Sequence, residues 1–164
     1  MGTYEVFSDF IDEGVRTAID TARDEKGMAP LAAWQDDLPI VPLRFEEWEQ
    51  WLPLVPTPFG IVLLGENTTS QLIGSGRMRR SMTLYVAVSV EAANANERSQ
   101  KFAKTEDSTV SGVIAALPDY FTADPRYPRA EYQGCQYLPF ETRRADKEIG
   151  LCVTQWAIEI MEDV

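Results

Sequence analysis

The chain has 164 residues, 45% of them apolar, 25% charged and 10% aromatic, which is the length and balance of one globular domain. Its formal charge of −11 opposes any grip on phosphate backbones or anionic membranes through the overall field, and no stretch approaches the ~20 apolar residues of a membrane span. It contains no histidine and only two cysteines, Cys135 and Cys152, which removes Ser-His-Asp and Cys-His mechanisms and the commonest zinc ligand. The amino terminus, MGTYEVFSDFIDEG, is acidic and lacks the regions of a signal peptide, so synthesis in the cytoplasm is expected.

Residues 4–25 read as an amphipathic helix. Phe7, Phe10, Ile11, Val15, Ala18, Ile19 and Ala22 form one stripe, while Asp9, Asp12, Glu13, Arg16, Asp20 and Arg23 fall on the other faces. Gly27 and Pro30 supply the stop. Residues 29–58 hold six of the ten prolines and three of the four tryptophans, which excludes a long central strand or helix. Within them LRFEEWEQWL allows a short helix. So much tryptophan marks an ordered, aromatic-anchored excursion rather than a linker.

From Phe59 the pattern turns to strand. FGIVLLGE is a short apolar run, NTTSQLIGSG a long turn, and residues 80–90 alternate, with Met82, Leu84, Val86 and Val88 on one side. A hairpin follows from these two strands. Residues 99–117 read as a second helix on Phe102, Val110, Val113, Ile114 and Leu117, ended by Pro118. A last hairpin pairs EYQGCQYLPFE with EIGLCVTQWAIEIM. The second arm is apolar on both faces, as in a central strand covered on each side. The expected fold is α+β: an antiparallel sheet of about four strands, two helices on one face, and the irregular insertion, all in one domain over residues 1–164.

Three arginines, Arg77, Arg79 and Arg80, crowd the stretch GSGRMRRS of an otherwise acidic chain. It lacks the third glycine and the following helix of a dinucleotide fingerprint. Two readings stand: a solvated hairpin end held by the chain's own carboxylates, or a charged subunit contact. Residues 1–51 carry a net charge of −8 and the remainder −3, which leaves the first segment as the acidic side. Trp48, Trp51 and Phe59 are candidates for filling a pocket on a neighbouring chain, with packing inside the subunit as the simpler alternative. Carboxylates such as Asp36, Asp37 and Glu46 are the residues a small cytosolic enzyme would use. No cofactor or metal motif occurs. Cys135 and Cys152 lie on the two arms of the last hairpin, and buried thiols are the expected state.

RMRRSMTLYVAVSV, followed by a polar break, a helix ending IAALPDYF and a closing hairpin with an acidic tail, resembles the tail terminator proteins of long-tailed phages, the minor tail protein U-like family. The resemblance covers residues 59–163 and the first helix; the insertion at 29–58 is longer than the family pattern. It implies a virion protein without catalytic activity: a homohexameric ring on the tail tube protein that stops tube growth and faces the head connector. For 164 residues the radius of gyration is about 15 Å, giving subunits roughly 40 Å across and a six-membered ring with a hole of similar width. An acidic lining would let DNA pass without specific binding. Other neck proteins, and an acidic module that binds a basic partner, are the rival readings in related and different classes.

Overall fold

The computed structural model describes residues 11–38, 47, 50–64, 69–74, 76–117, 129–144 and 147–163. A π-turn over Ile11–Val15 leads into helix α1 (Arg16–Glu25). Strand β1 (Ala33–Trp34) and a 3-10 turn over Gln35–Asp37 follow, then a second 3-10 turn at Leu52–Leu54. Strands β2 (Phe59–Leu64), β3 (Thr69–Leu72) and β4 (Arg77–Ala92) precede helix α2 (Ala95–Ala116). Strands β5 (Arg129–Arg144) and β6 (Lys147–Asp163) complete the order. No described helix is long and apolar enough to cross a membrane.

The fold is α+β, with a sheet that is larger than expected and mixed. Six strands run β1-β2-β4-β6-β5, with β3 beside β4, and β1 pairs parallel to β2. The stretch read as a long turn contains β3, because Leu72 pairs with Met78 and Thr69 with Ser81 once β4 starts at Arg77 instead of residue 80. The strand inside the insertion is completed by a side chain. Gln35 accepts from the Val62 N–H at 2.7 Å and donates to the Val62 carbonyl at 3.0 Å, which satisfies a sheet edge that β1 is too short to cover.

Alternation in β4 holds: Met82, Leu84, Val86 and Val88 are at most 2% exposed. They meet Val15 of the π-turn and Ile19 of α1, Val113 and Ala116 of α2 with Leu117 just after it, and Trp156 and Ile158 of β6. Both helices therefore cover one face. The other face is not bare: Trp51, Leu52 and Val55 pack on Phe59, Ile61, Ile149 and Leu151. β6 is thus buried on both sides where Cys152 and Leu151 alternate, as its two-faced sequence predicts.

Helix α2 starts four residues before the apolar pattern does. Asn94 caps it by accepting from the Glu97 N–H at 2.8 Å, and Glu97 reaches back to the Ala93 N–H at 3.1 Å. Its buried face also differs from the expected stripe. Thr105, Ser108, Thr109 and Gly112 are buried with Val113, whereas Ile114 is 46% exposed. The small residues let α1 approach closely: a Cβ at Gly112 would lie 2.6 Å from Ile19 Cγ1 and 2.7 Å from Ile19 Cα.

Candidate functional site

Arg77, Arg79 and Arg80 sit at the start of β4, beyond the last helix-covered residue of that strand. From Met82 onward the strand carries a buried side chain at every second position; from Arg77 to Ser81 none is buried. This end of β4 is flanked by β3 and by the last residues of β6, so it is the middle of a three-stranded arm. The hairpin is closed by the Ile73 N–H donating to the Arg77 carbonyl at 2.8 Å.

Strand pleating splits the three arginines. Arg77 and Arg79 fall on the face away from the helices, Arg80 on the face toward them. Register sets Arg77 opposite Asp163 and Ser81 opposite Glu159, so acidic residues of β6 line the same arm. Exposed apolar side chains lie on and beside the arm: Leu72 of β3 is 63% exposed, and next to the arm Leu63 of β2, at 58%, pairs directly with Tyr85 of β4, at 37%, on the face away from the helices.

The aromatic candidates lie elsewhere. Trp51 is 5% exposed and Phe59 fully buried, their rings edge-to-face at 5.5 Å. They fill the subunit's own second cluster, where Trp51, itself in helical conformation with Glu47 and Gln50, covers the back of the sheet together with Leu52 and Val55. Trp48 lies outside the described residues. Of the carboxylates, Asp36 is exposed and ion-paired to Arg16 at 2.7 Å, and Glu46 lies outside the described residues. Among the described residues no group of three or more Cys, Asp or Glu could hold a metal ion.

Cys135 and Cys152 are brought together, with their sulfurs 3.2 Å apart and no bond between them. Hydrogen bonding to Cys135, together with burial, pushes the Cys152 thiol up and keeps it neutral. Tyr132 stacks on Trp156 at 4.7 Å beside this pair. Burial first, and the nearby Glu106 charge second, raise its phenol above the ordinary tyrosine value.

One residue assigned to the polar side of α1 is misplaced by sequence reasoning. Arg23 is 5% exposed, its Nε and Nη2 donating to the Ala29 carbonyl at 3.1 and 2.8 Å. Its signal was present: Arg23 stands four residues after Ile19, on the same helical face. The turn that returns Ala29 to it runs through Gly27 at φ +68, a left-handed position that glycine occupies without strain. No family model matches this chain, and a search of curated proteins finds no match either.

Proposed function

We propose that this chain is a structural ring protein of a long-tailed phage, a tail terminator that caps the tail tube and joins it to the head connector. The observation that carries the reading is the three-stranded arm, in which no side chain from Arg77 to Ser81 is buried, which bears charge and exposed Leu72, and beside which Leu63 and Tyr85 are also exposed. An uncovered arm of this kind gains stability by docking on another protein surface. A head-to-tail ring needs two different complementary patches on every subunit. Arg77, Arg79 and Arg80 supply a basic patch, and residues 1–51, at a net −8, supply acidic positions for a neighbour to meet it. The order helix, hairpin, helix, hairpin supports the same family resemblance.

Light-scattering mass with negative-stain images, with and without tube protein, tests it. A particle near 111 kDa, six times 18.5 kDa, with an open centre is the expected outcome. Arg79→Glu with Arg80→Glu should shift the mass toward the monomer. A wild-type chain that stays monomeric even with its tube protein refutes the ring, and unchanged assembly of the double variant refutes the arginine contact.

A further inference from the structure

A cavity of about 360 Å³ opens where the end of α1, the end of β4, the first half of α2 and the start of β6 converge. Its size lies at the lower end of ordinary small-ligand pockets. Four of the chain's 15 Lys and Arg residues line it: Arg23, Lys101, Lys104 and Lys147. Among the described residues Glu91 is the one carboxylate in the lining, and it accepts a hydrogen bond from the Thr57 hydroxyl. Glu97 pairs with Lys101 at 2.7 Å, so among the described residues two acids stand against four cations. In a protein of net charge −11, that local excess runs against composition.

Arg23 makes the cavity more than a surface patch. Its guanidinium is buried, and its two hydrogen bonds both end on the single Ala29 carbonyl. Asp20, the acid on its own helix whose charge acts on it, is engaged through Oδ2 by the Trp34 indole at 3.2 Å. Burial consequently pushes the Arg23 pKa down, with the Asp20 charge pushing the other way. A buried guanidinium without a bidentate carboxylate is under-compensated, and its planar fork fits an oxyanion better than any other ligand. Lys104 and Lys147 are exposed at the rim and can fold over a bound anion without rearranging the core.

The geometry points to a binding site for a compact, multiply charged oxyanion, a phosphate or carboxylate small molecule held by Arg23 at the floor and by Lys104 and Lys147 at the mouth. This site is separate from the arm and stands whether or not the chain forms rings. Pyrophosphate and citrate are suitable probes, titrated calorimetrically into the full chain at constant ionic strength set with KCl. Saturable binding of either probe below about 10 mM is expected, and the probe that binds names the phosphate or the carboxylate class. Lys104→Glu with Lys147→Glu should weaken that binding about tenfold or more, while its melting temperature without probe stays near wild type, because both side chains are exposed. Absence of saturable heat with both probes overturns the proposal. So does a double variant that binds as tightly as wild type, since it would show charge screening rather than a site.

Discussion

Gly112→Ala is the sharpest test of how the two helices are seated. The added Cβ would stand 2.6 Å from Ile19 Cγ1, 2.7 Å from Ile19 Cα and 2.8 Å from Ile19 N, where ordinary contact begins at 3.4 Å. Two of these three atoms are backbone, so no rotamer change of Ile19 relieves them; α1 must retreat by the better part of an ångström. A gap of about 0.5–1 Å forfeits a quarter to a half of each dispersion contact along the seam. Overpacking of this kind costs about 1–3 kcal/mol, and a backbone clash belongs at the upper end. Alanine returns about 1 kcal/mol through helix propensity. The net expectation is a loss of about 2 kcal/mol, a melting temperature lower by about 4–8 °C for a chain of this length. Urea and thermal unfolding followed by circular dichroism measure it. Ser111→Ala, exposed on the same helix, should instead be neutral or slightly stabilising. A Gly112→Ala protein that melts at or above wild type would refute the close approach of α1 and α2.

Asn94→Ala removes the cap of α2 and should lower stability by about 1 kcal/mol, whereas Asn94→Asp, which keeps the acceptor, should stay near wild type; urea midpoints separate them. Tyr132 gives a pH signature. Its folded pKa lies above the unfolded value of about 10, so its contribution is complete below pH 10 and is lost as pH rises further, when only the unfolded chain releases the proton. Tyr132→Phe should therefore flatten the alkaline decline of the urea midpoint above about pH 10. Parallel curves for the two proteins would contradict the burial of that phenol.

Sequence pattern reads best where packing is repetitive. The alternation of Met82, Leu84, Val86 and Val88 and the two-faced character of Leu151 and Cys152 predict a half-covered strand and a central one, and both are found. It fails where a residue's role depends on a distant partner. β3 is short and polar, and it is a strand only because Arg77–Ser81 lies alongside it. Thr105, Ser108 and Thr109 look like interruptions of an apolar stripe, yet their small size is what admits the neighbouring helix. Trp51 and Phe59 were candidates for a partner surface because one helix-covered sheet face does not need them. The second covered face, built by the proline-rich insertion, absorbs them. Arg23 was hidden by its charge, since residue type outweighs spacing when a cation lies on an apolar face. The cavity it floors draws on four separate elements, and no local motif encodes such a convergence.

The position of β6 has a consequence for synthesis. It follows every other described strand in chain order but stands between β4 and β5 in the sheet. While a ribosome is still making residues 147–163, the long inner edge of β4 and its apolar face have already left the tunnel. A sixteen-residue strand edge left open on the side that β6 takes, flanked by helices with no finished sheet to seat on, is what a chaperone would hold and what two nascent chains could wrongly exchange. The last of the described strands to be made is the keystone of the sheet, and residues 1–146 on their own would be left with a split one.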